Sequence, residues 1–362
     1  MLRIAEKYFL YTADLGIKLM LPDGSMPPGR NGPYNDIETP VRNTSHWMVI
    51  FSVAYQLTRT AKYKSALIRN TDFLTSSSSR PNGFSFEHRL NSHKDKCNGL
   101  IGQAWTLLGW AVASKVLSGS SCLLLAREVY SQHRFDRTLG LWHRLEVTGR
   151  HLSLDPTLNH QIWFAAAGSA LGGRAEQDSR IFLDRLSSHL TVLPDGLIYH
   201  PILSLWYPQI TPGLFGKLKI FTPVVEISGY KVPYSLHSQI LIKSKGYHLF
   251  NLYGLAILSH RFPRHKIWQD SRINSALTLI IKKKFTSGLS ANPYAFPYNP
   301  PGFEIGLVVD RFLPGNVAAR NLARSMLLAQ IKYIQDNQNS PKIDYHTLLA
   351  RSYELSGLKS SV

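Results

Sequence analysis

Three tryptophans, Trp47, Trp105 and Trp163, lie 58 residues apart, each near the start of an apolar helical run. A fixed period of this kind marks a repeated supersecondary unit, and it narrows the possible folds more than any composition figure. One period is long enough for two helices and a loop. The local words are Ser45-His46-Trp47, Gln103-Ala104-Trp105 and His160-Gln161-Ile162-Trp163.

Apolar residues at helical spacing recur at 44–57, 100–117, 158–171, 247–258, 303–312 and 345–355. Most of these segments are apolar on all faces, as buried inner helices are. Amphipathic segments alternate with them at 1–20, 62–74, 121–132, 178–190, 267–283 and 316–335. Six such alternations predict an all-α chain, an (α/α)6 toroid of six helical hairpins whose two concentric rings close on themselves. The loops entering the inner helices also repeat: Gly83-Phe84-Ser85-Phe86-Glu87-His88-Arg89, Gly140-Leu141-Trp142-His143-Arg144 and Gly196-Leu197-Ile198-Tyr199-His200. Runs of this kind predict short β-hairpins on one rim. A single toroid domain is expected over 1–362, with one insertion. His160 to His248 spans 88 residues, about 31 beyond the period, and the excess falls at about 201–246.

A hydrophobic content of 44% with 18% charged residues excludes a disordered chain. Cys97 and Cys122 are too few for a disulfide framework and suit a reducing compartment. The N-terminus shows no secretory pattern. The stretch 99–117 carries Gln103, Thr106, Ser114 and Lys115 on the period of the inner helices, so a buried helix explains it better than a membrane span. A soluble, cytoplasmic protein is expected. The net charge of +18 favours anionic partners, such as an acidic, nucleotide-linked or lipid-linked sugar. Nucleic acid is disfavoured, because the basic residues are spread along the chain and no nucleic-acid motif accompanies them. The insertion includes Leu214-Phe215-Gly216-Lys217-Leu218-Lys219-Ile220-Phe221, a candidate lid or, through 213–221, a peripheral membrane contact.

In a toroid the first turns of the inner helices converge on a central cavity. The polar residues there are Arg42, Asn43 and His46, then Asn98 and Gln103, Asn159 and His160, His248 and Asn251, Glu304, and His346. The tryptophan register treats His46, Gln103, His160, His248, Glu304 and His346 as equivalent positions. Imidazole titrates near neutral pH and suits proton transfer, which makes His46, His160, His248 and Glu304 the catalytic candidates. The substrate-binding candidates are Arg42, Asn43, Asn98, Gln103, Asn159, Asn251 and His346, with His88 and His143 from the rim loops. Trp163 and Tyr298 add faces on which sugar rings stack. No glycine-rich phosphate loop, zinc spacing or nucleophile elbow is present, and no histidine pair is spaced for a metal on one helix. No cofactor or metal is expected. A glycosidase would need a second acid opposite Glu304, for which Glu38, Glu87 and Asp155 are loop candidates.

The run of six hairpins resembles the six-hairpin glycosidase superfamily, and within it the N-acylglucosamine 2-epimerase-like group. Asn43-Thr44-Ser45-His46-Trp47, Cys97-Asn98-Gly99-Leu100-Ile101-Gly102-Gln103-Ala104-Trp105, Asn159-His160-Gln161-Ile162-Trp163 and Tyr298-Asn299-Pro300-Pro301-Gly302-Phe303-Glu304 resemble proteins of polysaccharide and glycan-assembly clusters, the VpsJ and AglQ type. The likeness implies histidines on inner helices that shuttle a proton at the sugar carbon beside a carbonyl, with His248 and Glu304 at matching positions. Asn251 stands where the epimerases carry a glutamate three residues after that histidine, so 2-epimerisation of an acylated amino sugar is not assigned. The implied function is a sugar epimerase/isomerase-like or glycoside-cleaving enzyme of polysaccharide or glycan biosynthesis. The alternative is a non-catalytic glycan-binding or scaffold component of an assembly complex.

Overall fold

A computed structural model describes residues 1–117, 121–215 and 223–359. The chain enters through α1 (Leu2–Leu19), whose buried residues Ala5, Tyr8, Phe9, Thr12, Ala13 and Gly16 recur at three- and four-residue spacing on one face. It then passes to α2 (Val41–Thr58), buried almost all round through its first three turns. The alternation continues outward to α3 (Ala61–Thr75), inward to α4 (Gly99–Ala113), outward to α5 (Ser121–Gln132), inward to α6 (Leu158–Leu171) and outward to α7 (Gly173–His189). After the insertion come inner α9 (Tyr234–Arg261), outer α10 (Ser271–Ile280), the short α11 (Lys283–Ser287), inner α12 (Pro301–Phe312) and outer α13 (Val317–Asp336). The last inner segment is α14 (Tyr345–Ala350), continued by a 3-10 segment, Arg351–Lys359. Each inner element packs on the next in chain order, and the 3-10 segment returns to α2 and α1. The inner ring is closed, as the period predicts.

Small residues set how closely the elements approach. A Cβ on Gly16 would lie 2.1 Å from the ring of Trp47, so this tryptophan points outward and fills the space under α1. Trp163 instead stacks on Phe250 at 4.6 Å and donates its indole N–H to the Phe250 carbonyl, joining α6 to α9. Trp105 faces the centre of the ring. The three repeated residues therefore do three different packing jobs.

The rim loops follow the predicted pattern only in part. A three-stranded antiparallel sheet forms in the second loop, from β1 (Phe135–Asp136), β2 (Leu141–Leu145) and β3 (His151–Leu154). The first and third loops make isolated bridges, Glu38 with Arg89 and Val192 with Ile198. The insertion holds α8 (Leu203–Phe215), a hairpin of β4 (Val224–Ile227) and β5 (Tyr230–Pro233), and the first turns of α9. The fourth inner helix thus begins 13 residues before the expected 247. Gly246 does not break it: a Cβ there would lie 2.4 Å from Tyr294 Cβ, so the glycine serves close packing. The membrane contact expected at 213–221 falls on the end of α8 and, from 216, outside the described residues. Among the described residues no helix is long and apolar enough to cross a membrane.

Side chains on the inner helices pin the rim. Gln103 accepts from the Phe86 N–H and donates to the Phe86 and Cys97 carbonyls, all at 2.9 Å. Gln161 accepts from the Trp142 N–H at 3.0 Å and donates to the Trp142 and Asp155 carbonyls. In the third repeat His248 Nδ1 accepts from the Ile198 N–H at 3.3 Å, and its Nε2–H donates to the Ala276 carbonyl at 3.0 Å. His248 is thus the partner of Gln103 and Gln161, whereas His160 lies one residue earlier. One residue turns a helical side chain by about 100°, which moves His160 to the cavity and leaves His248 facing the rim loop and α10.

Burial depresses the His248 pKa to about 4, with the Ala276 carbonyl opposing. Its folded value lies below the unfolded 6.5, so its stabilisation is present above pH 6.5 and is lost as pH falls toward about 4. His248→Gln should hold the loop as Gln103 does and remove part of the acid sensitivity. His248→Ala should cost about 1–3 kcal/mol through unpaired backbone groups. Urea unfolding at neutral and mildly acidic pH checks both.

Candidate functional site

A cavity of about 280 Å³ opens at the rim end of the inner ring. Its walls come from the loop before α2, the starts of α4 and α6, the middle of α9 and the loop before α12. Aromatic rings supply one side: Tyr34, Trp105, Tyr247, Phe250 and Tyr298. The Tyr34 and Tyr247 hydroxyls are 3.3 Å apart, and the Tyr298 hydroxyl donates to Asn31 Oδ1 at 2.8 Å. Gly32 is obligatory here, with φ at +52° and the Tyr298 ring 2.1 Å from where a Cβ would stand.

Ionic side chains supply much of the remaining wall. Asp95 accepts from Arg144 at 2.9 Å, from the Gly99 N–H at 2.9 Å and from Arg89 at 2.5 Å. Asp36 pairs with Lys94 at 2.6 Å. Burial works against both carboxylates, yet the cations and N–H donors outweigh it and hold Asp36 and Asp95 below the usual range. Lys243 has no carboxylate partner among the described residues; its ammonium lies 5.3 Å from the Tyr34 ring and 5.8 Å from the Tyr294 ring. Partial burial and the charge of Lys94 lower its pKa.

At the base of this wall His160 Nδ1 lies 2.8 Å from Asp155 Oδ2. Asp155 also accepts from the Leu100 N–H at 3.1 Å and the Thr157 N–H at 3.1 Å. Burial alone would raise this carboxyl, but the His160 ring and these donors prevail and bring it to about 2. An ionised Asp155 can only accept, so His160 carries its proton on Nδ1 and leaves Nε2 for the cavity. Gly99 makes room for the pair, since a Cβ there would stand 2.7 Å from Asp155 Oδ2 and 2.8 Å from His160 Nδ1. A second imidazole, His200, lines the same cavity 4.8 Å from the Tyr247 ring, its Nδ1 without a partner among the described residues. Burial and the charge of Lys243 depress it to about 3, so it is neutral at physiological pH. Asn98 Nδ2 and Asn159 Oδ1, one donor and one acceptor, are unpartnered within the described residues.

Beneath the cavity lies a sealed polar layer. Arg42 pairs with Glu38 at 3.1 Å and lays its guanidinium 4.3 Å from the centre of the Trp105 ring. Arg351 holds Glu304 at 3.0 Å and Glu354 at 2.6 Å, all three fully buried. His46 stacks on Tyr353 at 4.4 Å. Burial, and then the charge of Glu354, raise Glu304 well above the carboxylate range, while Arg351 opposes; burial pushes Glu354 to about 7. Burial also keeps His46 neutral, with Arg42 and Arg351 adding to the effect.

Of the residues singled out from the sequence, the cavity gathers Asn98, Asn159, His160 and Tyr298, with Asp155 from the loop acids. Arg42, His46 and Glu304 belong to the layer beneath, reaching the cavity through Trp105, Tyr298 and Asn299 rather than lining it. Gln103 and His248 are rim clamps. Asn43 donates to the Pro27 carbonyl, Asn251 to the Tyr247 carbonyl, and His88 bonds Thr106 Oγ1 at 3.2 Å. His143 faces the Leu152 carbonyl on the hairpin, Trp163 sits between α6 and α9, and His346 opens α14 away from the cavity. Missing from the candidates were His200, Arg89 and Arg144. All three stand in the repeated loop words, the arginines directly after the histidines at 88 and 143.

Ring, rim and cavity make the chain an (α/α)6 toroid of six helical hairpins. No family model matches it. Archaeal glycosylation protein Q of Haloferax volcanii is 37% identical over 356 residues, 96% of this chain and 95% of that protein, and the chain belongs to its family. Among solved structures, D-mannose isomerase superposes with a TM-score of 0.61 at 12% identity, covering 98% of this chain and 97% of that one. Cellobiose 2-epimerase from Spirochaeta thermophila gives 0.62 at 12% identity, covering 99% and 97%. The α-1,6-mannanase GH76A of a Salegentibacter species, bound to α-1,6-mannotriose, gives 0.55 at 8% identity, covering 99% of each chain. These three share the fold.

Removing Arg351 would leave Glu304 and Glu354 buried together without a cation. Arg351→Ala should destabilise the chain by about 3–5 kcal/mol, read as a lower urea midpoint. A loss near zero would show that the layer is not held by this ion pair.

Proposed function

We propose that this chain is a glycan-processing enzyme of a glycosylation pathway that moves a proton on a sugar held in the rim cavity. The observation that carries the reading is His160, oriented by Asp155 at 2.8 Å on the cavity wall, with a second imidazole, His200, lining the same cavity. Family membership with a glycosylation protein, and a fold shared with sugar isomerases and epimerases, support the same class.

The chemistry follows from which groups can carry a proton. Hydrolysis of a glycosidic link needs a carboxylic acid protonated at working pH. The carboxylates lining this cavity, Asp36, Asp95 and Asp155, are all held low, and Glu304 does not reach it. The imidazole of His160, oriented by Asp155, remains. His160 Nε2 is suited to take the proton from the carbon beside the carbonyl of an open-chain sugar and to return the same proton to the adjacent carbon, while neutral His200 is suited to hydrogen-bond a sugar hydroxyl. Asn98 and Asn159 match sugar hydroxyls, and Trp105 and Phe250 offer apolar faces to the ring. The unpaired ammonium of Lys243, with Lys94 nearby, favours a substrate carrying a carboxylate or phosphate, including a lipid- or nucleotide-linked sugar.

Incubation with candidate sugars in D2O, followed by NMR, tests the mechanism, because proton transfer at carbon exchanges a C–H for C–D. His160→Ala should slow exchange on the order of 10²–10⁴-fold with the fold intact, and Asp155→Asn should also slow it. Full exchange in His160→Ala would remove His160 from the mechanism. Sugar binding with no exchange on any substrate would favour the scaffold reading. Lys243→Met should raise KM for anionic sugars about tenfold and leave neutral ones little changed.

A further inference from the structure

The insertion has a core of its own, Tyr199, Leu203, Ile227, Val232 and Ile240, yet it leaves large apolar side chains outside that core. Tyr234 is 59% exposed, Val224 51% and Ile242 48%. The pairing of β4 with β5 sets Val224 opposite Pro233, and the Tyr234 N–H donates to the Pro223 carbonyl at 2.9 Å, so Val224 and Tyr234 are neighbours. Tyr234, Ser238 and Ile242 then follow at four-residue steps along one face of α9. The stripe runs into lysines. Asn292 donates to the Ile242 carbonyl at 2.8 Å, and the Lys245 ammonium packs over Gly288, just past the end of α11, bringing α11 alongside. Lys283 and Lys284 are exposed there beside Ile281, which is 39% exposed. Lys245, Lys283 and Lys284 have no carboxylate partner among the described residues.

We propose that this face docks on an anionic lipid surface, with Val224, Tyr234 and Ile242 entering the headgroup region and Lys245, Lys283 and Lys284 meeting lipid phosphates. Neither half suffices alone: a few apolar side chains bind a bilayer weakly, and a small lysine cluster is screened by salt, but together they reinforce one another. The stripe also borders the cavity mouth. Ile242 is exposed while its neighbour Lys243 lines the cavity, and Tyr294, two residues after Asn292, has its ring 5.9 Å from that of Tyr247. Docking here would bring the mouth to the bilayer, where a sugar on a lipid phosphate is presented. The docking itself does not depend on the proton chemistry proposed for the cavity.

Co-sedimentation of the full chain with vesicles tests it, using phosphatidylcholine alone and phosphatidylcholine mixed with phosphatidylglycerol. The chain should sediment with the mixed vesicles and not with the neutral ones. Tyr234→Asp/Ile242→Asp should weaken partitioning on the order of tenfold. Lys283→Glu/Lys284→Glu should weaken it comparably and flatten its salt dependence. Arg320→Glu/Arg324→Glu makes the same charge change on exposed positions of α13 and should leave binding largely intact. Circular dichroism confirms folding of each variant, and Ile242→Ser provides a milder apolar probe that should also weaken binding. Absence of binding to mixed vesicles overturns the proposal. So does undiminished binding of the folded apolar variants, or an equal loss in the α13 control, which would mark attraction to net charge alone.

Discussion

A glutamine amide has one acceptor and two donors, enough to replace a strand as the partner of a loop residue. Gln103 and Gln161 use that capacity in full, on Phe86 with Cys97 and on Trp142 with Asp155, and His248 accepts from the Ile198 N–H while donating to the Ala276 carbonyl. The three pinned residues lie 56 residues apart. Buried backbone groups without partners are costly, so these side chains let irregular loops descend into the apolar ring. Arg89, Arg144 and His200 reach the cavity because a rim residue two or three positions before each is held in this way.

Below the rim the polar groups divide into two populations. On the cavity wall the carboxylates of Asp36, Asp95 and Asp155 are pulled down by arginine, lysine, histidine and backbone N–H groups. Those in the layer beneath are governed by burial, which raises Glu38, Glu304 and Glu354 and lowers His46. Trp105 and Tyr298 separate the two, with cavity on one face and the Arg42 guanidinium near the other. The ion pairs of the buried layer tie the last segment of the chain to α12, just as Arg42 and Glu38 tie α2 to the loop before it.

The architecture was legible because it rests on periodicity. Apolar runs at 158–171 and 303–312 became helices at nearly those bounds, since burial on all faces leaves a strong pattern. The cavity lining was legible only in part: Asn98, Asn159, His160 and Tyr298 line it, whereas His248 does not, and one residue of register makes that difference. Aligning the repeats on the tryptophans placed His160 with His248, whereas hydrogen bonding aligns Gln161 with His248; at 100° per residue the offset separates a cavity wall from a rim clamp. Gly99, Gly32 and Gly246 were silent in the sequence because their importance lies in what approaches them, and Asp155, His160, Tyr298 and Tyr294 come from elsewhere in the chain. The Arg89 and Arg144 signal was present in the loop words, but its target, Asp95, belongs to neither repeat of the periodic pattern.

Asp155 precedes α6 and orients the histidine of α6, yet it also accepts from the first turn of α4. The carboxylate is therefore a bolt across the seam between two hairpins, with its room provided by a glycine of the earlier one. No single repeat contains the unit: one supplies the space and the backbone donor, the next the acid and the imidazole. A solenoid of such hairpins could lengthen or shorten without losing its fold, but a site of this construction ties its function to a particular pair of neighbours. It gives the second and third repeats a joint identity that the symmetry of the ring conceals.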